Sequence, residues 1–131
     1  MQLIYKNSKV KIEFDKQLNL MLLDYFGIYN HQLIQEAYSN VSADGVHFII
    51  GDLTKIRGSF NNMMDYFEDK YAQLKRGGMV GQALIISDDL IIENLARKLE
   101  RKILKAGIDV YVTTSKEAAF EWVKTHPYKI N

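Results

Sequence analysis

The 131-residue chain contains no cysteine. That one absence removes disulfides, thiolate metal centres and a cysteine nucleophile together, and it fits a reducing compartment. Proline is nearly missing too: Pro127 stands alone, so no proline-rich linker divides the chain, and neither a low-complexity stretch nor an internal repeat is visible. Charge of one sign is also lacking, since 17 basic against 16 acidic residues leave a formal net charge of +1. A global field that would draw nucleic acid or an anionic membrane is therefore absent, and no specific nucleic-acid partner is expected. No apolar run has the length of a transmembrane segment. The opening Met1-Gln2-Leu3-Ile4-Tyr5-Lys6 carries polar residues where a secretory signal needs its apolar middle. These absences predict a single domain over residues 1–131, soluble and cytoplasmic.

What is present is an ordinary globular composition, 47% hydrophobic and 25% charged, which builds a core without metal or disulfide. Val10, Ile12 and Phe14 alternate with Lys9, Lys11 and Glu13, the period of a strand with one wet face. Asp15-Lys16-Gln17 predicts a hairpin turn into a strand over 18–26 that Gly27 ends, and Leu3-Ile4-Tyr5 predicts a further short strand. Asn30 predicts the N-cap of a helix to about Asn40, with Tyr29 and Ile34 spaced as a hydrophobic staple. Asp44-Gly45 breaks the chain before the mostly apolar run 46–53, which suits a central strand covered on both faces.

Phe60, Met63, Met64, Phe67, Tyr71 and Leu74 fall on one stripe at helical spacing over 59–76, closed by Gly77-Gly78. A buried strand follows over 83–86. Ser87-Asp88-Asp89 then caps a helix whose inner face is Ile92, Leu95, Ala96, Leu99 and Ile103. The last strand covers 108–112, and Thr114 with Glu117 has the spacing of a capping box for a helix that ends near His126-Pro127. Strands followed by alternating helices and strands predict an α/β fold: a mixed sheet with an N-terminal antiparallel hairpin and parallel βα units, in a layered sandwich. The N-terminal strands would leave an open edge through which a homodimer could form.

In open α/β sheets, ligands bind beyond the carboxyl ends of the parallel strands. That edge carries Asp52 and Thr54, then Ser87 and Asp88, then Thr113 and Thr114, with helix beginnings at Ser59, Asp89 and Ser115. Capping demands hydroxyls and carboxylates at such places, so capping is their first reading. A functional reading rests on Ser59, which follows Gly58 and opens a helix. A phosphate there would gain roughly 0.3–1 kcal/mol from the helix dipole. Phosphorylation would then change a partner-binding surface built from Asp52, Thr54, Gly58, Ser59 and Phe60 without unfolding the domain. For Met63, Met64 and Phe67 the first reading is core packing, and the second is a docking face or a pocket for a small apolar, lipid-like ligand.

Enzyme chemistry finds less support. His31, His47 and His126 lack metal-ligand spacing. Neither phosphate-binding glycine motif occurs, and Gly58-Ser59-Phe60 is not a hydrolase elbow. Asp52 as a phosphoacceptor would want an acidic pair at the end of an earlier parallel strand, and none is legible. Arg97, Lys98, Arg101, Lys102 and Lys105 form a basic helix surface in which Glu93 and Glu100 stand at ion-pairing distance along the helix. No acid–base–nucleophile set assembles, so a non-enzymatic chain without cofactor or metal is expected.

The chain also resembles the STAS family, and within it the single-domain bacterial proteins that resemble anti-sigma-factor antagonists. The likeness is carried by the N-terminal strand pair, the Phe48–Leu53 strand with Thr54 after it, Ser59 at the tip of the next helix, the stretch Ala83–Asp89 and the helix Glu117–Val123. It spans roughly residues 8–125. In typical antagonists the helix tip reads Asp-Ser-Ser-Gly and a partner kinase phosphorylates a serine there. This chain has Arg57-Gly58-Ser59-Phe60, so only Ser59 corresponds and its acidic neighbour is missing. The resemblance implies a regulatory module that binds another protein and is switched by phosphorylation. The alternative is a carrier or sensor of a small apolar ligand.

Overall fold

Six strands line up in chain order in a single sheet of the computed structural model, which describes residues 1–41, 45–58 and 64–127. They are β1 (Gln2–Lys6), β2 (Val10–Asp15), β3 (Leu20–Gly27), β4 (Phe48–Ile56), β5 (Gly81–Ile85) and β6 (Asp109–Thr113). The first three pair antiparallel, and β3 to β6 run parallel. Helices α1 (His31–Ser39), α2 (Met64–Arg76) and α3 (Leu90–Lys105) make the three crossovers, and α4 (Lys116–Thr125) follows the last strand. This is the expected mixed α/β architecture. Asp44, Ser59, Phe60 and Met63 lie outside the described residues, so the helix expected over 59–76 is described from Met64 onward.

Parallel crossovers are right-handed, and a sheet that grows in one direction by such crossovers carries all of their helices on one face. The buried residues divide accordingly. Ile34 and Tyr38 of α1, Phe67, Tyr71 and Leu74 of α2, and Ile92, Leu95, Leu99 and Ile103 of α3 pack with alternate strand residues such as Leu23, Ile49 and Leu84. The other strand residues, among them Leu22, Ile50, Ala83 and Ile85, form a smaller core with Ala119 and Val123 of α4. With no later strand to return to, α4 is free to cover the second face. It packs on β4, β5 and β6 and leaves that face of β2 to polar side chains, including a Lys11–Glu13 ion pair at 3.4 Å. The wet face expected from the alternation of β2 is there.

Local chemistry explains the boundaries. Asn30 caps α1 by accepting the N–H of Leu33, and Asp89 caps α3 by accepting that of Ile91. Strand β3 begins two residues later than expected because the Asp15 carboxylate accepts the N–H groups of both Gln17 and Leu18, holding 16–19 as a longer turn. The last cap is shifted by one residue. Ser115, not Thr114, accepts the N–H of Ala118 at 3.1 Å, and the Ser115 hydroxyl donates to Glu117 at 3.3 Å. The Thr113 hydroxyl meanwhile takes the N–H of Ser115, which extends the turn and delays the helix.

Two interactions join elements distant in sequence. Glu68 of α2 accepts from Lys102 and Lys105 of α3, each at 2.5 Å. Those hydrogen bonds hold its carboxyl down at about 2. Inside the larger core, the Tyr25 hydroxyl donates to that of Tyr38 at 2.8 Å. Tyr71 and Gln82 are fully buried beside them. Burial pushes the phenols of Tyr25 and Tyr71 far above their ordinary range. Among the described residues, no helix is long and apolar enough to cross a membrane.

Candidate functional site

The carboxyl end of β4 brings Asp52, Thr54 and Gly58 to one edge of the sheet. The Asp52 carboxylate accepts both the backbone N–H of Thr54 at 2.9 Å and its hydroxyl at 2.6 Å. Thr54 is thereby locked as a donor to its own strand end. Past it, Arg57 and Gly58 are exposed. Gly58 sits at φ +79° with open space around it, a left-handed conformation that a side chain would resist. The turn that leads toward Ser59 thus depends on that glycine.

Next to Asp52, in register on β3, stands Asp24. Two residues earlier on their strands, Leu22 and Ile50 point into the α4-side core, so both carboxylates belong to that face. Asp24 is half-buried, and its Oδ1 is sealed from solvent without a hydrogen-bond partner among the described residues. Its carboxyl is pushed up, first by burial and further by Asp52 and Glu13, against the opposing pull of Lys116 and Lys11. The strand ends therefore carry two adjacent carboxylates, and Lys116, the first residue of α4, is the cation that acts most strongly on Asp24.

A raised carboxyl has a definite sign for stability. The folded chain binds the Asp24 proton more tightly than the unfolded chain does, so stability falls as pH rises from the ordinary value of 3.8 through the raised one. Asp24→Asn is accordingly expected to stabilise the fold at neutral pH, by about 1 kcal/mol or less because solvent screens a half-buried group. The gain should vanish under acid conditions, where wild-type Asp24 is itself protonated. Chemical denaturation across a pH series measures both. A variant that is less stable than wild type at neutral pH would mean that the carboxylate is well paired.

The other expected residues separate into two groups. Ser87, Asp88, Thr113 and Thr114 line one groove of about 490 Å³ together with Glu93 and Arg97 of α3. Within it the Ser87 and Thr113 hydroxyls accept the N–H groups of Asp89 and Ser115, the structural duty that capping predicts. On α2, Phe67 is 1% exposed and packs edge-on against Tyr38, while Met64 rests half-buried on the same core. Phe67 therefore offers no surface to a partner. Ser59, Phe60 and Met63 remain outside the described residues.

The histidines serve in different ways. His47 precedes β4 with Nδ1 3.2 Å from the Asn19 amide. The side chain of His126 is nearly enclosed, with Nε2 2.7 Å from Asp109 Oδ2, and its ring lies edge-on to Phe48 and Trp122. Helix α1 begins at His31. No group of three or more metal-ligating side chains gathers among the described residues. On the basic surface of α3, Arg97 pairs with Glu100 as its spacing suggested, whereas Glu68, from another helix, takes Lys102 and Lys105.

Asp24 and Lys116 are the residues that sequence reading missed. A signal for Asp24 existed: it is the one charged residue in the stretch Leu20–Phe26, otherwise wholly apolar or aromatic. Lys116 had none, since only the fold brings the start of α4 toward β3. Comparison with models of known protein families finds none that matches the chain, and comparison with curated proteins finds no match either.

Proposed function

We propose that the chain is a non-enzymatic, STAS-like regulatory module of the cytoplasm that binds another protein through the edge formed by Asp24, Asp52, Thr54 and Gly58. The observation that supports this reading most is Asp24 itself. A carboxylate held half-buried, with one oxygen unpartnered among the described residues and a second carboxylate beside it, lowers stability, and such groups concentrate where a protein uses them. A basic side chain of a partner would complement the two acids there, and phosphorylation of Ser59, just past Gly58 in sequence, would alter the charge at the end of the same segment.

Affinity capture from the native host, followed by titration of the captured protein into wild type, Asp24→Asn and Phe60→Asp, tests the reading. One specific partner should bind wild type and lose at least about tenfold in affinity to each variant. Unchanged affinity for both variants would move the docking surface elsewhere. Lipid recovered with the chain and no partner protein would replace the reading with apolar-ligand carriage.

A further inference from the structure

Independently of the acidic edge, we infer that two copies of the chain join through β6, antiparallel about a two-fold axis near Tyr111, so that their sheets become one. Among the described residues β6 pairs only with β5. The Asp109 N–H donates to the Val80 carbonyl and the Thr113 carbonyl accepts from Ile86, so these residues turn their backbone groups toward β5. Residues of a strand alternate in this respect, which leaves the N–H and C=O of Val110 and Val112 directed outward.

The two edges of the sheet differ in a telling way. Strand β1 is interrupted by a register shift between Leu3 and Tyr5 and ends in Lys6, two of the devices by which edges avoid further pairing. Strand β6 keeps an unbroken register from Asp109 to Thr113, with no lysine and no proline. The edge expected to self-associate from sequence, at the N-terminus, is thus the guarded one.

What fits the β6 edge is a second β6. Antiparallel pairing about Tyr111 sets Val110 against Val112 of the second copy, so the outward backbone groups meet in hydrogen-bonded pairs. It sets Asp109 against Thr113 of the second copy, and no like charges oppose. The flank of α3 that overhangs this edge carries an exposed apolar residue toward each of its ends. Glu93 and Arg97 share a groove with Val112 and Thr113, and helical spacing places Leu90, Glu100 and Leu104 on that flank. Lys102 and Lys105, bound to Glu68 of α2, mark the opposite one. Leu90 is 78% exposed and Leu104 55%, and they lie equally far on either side of Arg97. A two-fold axis reverses α3 and turns Leu90 toward Leu104 of the second copy.

Analytical ultracentrifugation over a concentration series tests the pairing. Wild type should sediment as a monomer–dimer equilibrium. Val112→Pro removes an outward donor without touching the β5 ladder and should leave only monomer. Leu104→Glu, at an exposed site, should weaken dimerisation about tenfold or more, and adding Leu90→Lys to the same chain should recover most of the loss, because the new charges attract across the axis. Circular dichroism establishes that each variant is folded; if Val112→Pro is not, Leu104→Glu and its rescue decide alone. Wild type that stays monomeric throughout, a dimer that folded variants leave unchanged, or a weakened Leu104→Glu dimer that Leu90→Lys fails to rescue overturns the inference.

Discussion

Gly81→Val is expected to lower the stability of the fold by about 3 kcal/mol, at the upper end of the range for forcing extra volume into a packed core. A Cβ at residue 81 would lie 2.8 Å from the Trp122 ring and 3.3 Å from two atoms of the Phe48 ring. The tryptophan cannot simply swing aside. Its indole stacks on Tyr111 at 5.6 Å and meets Phe48 and His126 edge-on at 6.3 and 5.3 Å. His126 is in turn tied to Asp109. Relief therefore requires α4 to move away from the sheet. Gly81→Ala should show a milder loss of the same sign, and Trp122→Phe introduced with it should lose less than the sum of the single variants. Denaturant midpoints measure these effects, with the slope of the transition serving as a check on the unfolded state. If Gly81→Val unfolds within a few tenths of a kcal/mol of wild type, α4 does not sit on β5 as described.

Tyr38→Ala should be at least as damaging, with a loss of about 4 kcal/mol. The ring is fully buried at the centre of the larger core and meets Phe67 and Tyr66 edge-on at 5.5 and 6.5 Å. Its hydroxyl accepts the hydrogen bond of Tyr25. Tyr38→Phe separates the two contributions. It keeps the ring but leaves the Tyr25 hydroxyl without its acceptor in a dry interior, for a loss of about 1–2 kcal/mol. Against a total stability of about 5–15 kcal/mol for domains of this kind, the alanine variant should show a large drop in its thermal midpoint and the phenylalanine variant a smaller one. Equal losses in both would locate the importance of Tyr38 in the hydroxyl network and not in the packing of α1 against α2.

The acidic edge shows how unevenly a site can be legible. Asp52 and Thr54 were recognisable because they terminate an apolar strand, and Gly58 because a glycine follows where the chain must turn. Asp24 was not recognised, although its charge interrupts an apolar strand, because its meaning depends on the neighbour across the ladder. That neighbour, Asp52, is set by the register between β3 and β4, two strands separated by a whole helix. For Phe67 the stripe favours core over docking face, and its burial against Tyr38 leaves only the core reading.

By itself the sequence determined the elements of this protein. The alternation of Val10 and Ile12, the stripe from Ile92 to Ile103 and the caps at Asn30 and Asp89 act within a few residues, and local periodicity and local hydrogen bonds suffice to place them. Tertiary structure alone decided that the strands stand in chain order, that α4 crosses to the other face, and that Asp24 meets Asp52 while Glu68 meets Lys102. These depend on crossover handedness and on the register between distant segments, which arise only when the whole sheet closes its hydrogen bonds and buries both faces at once.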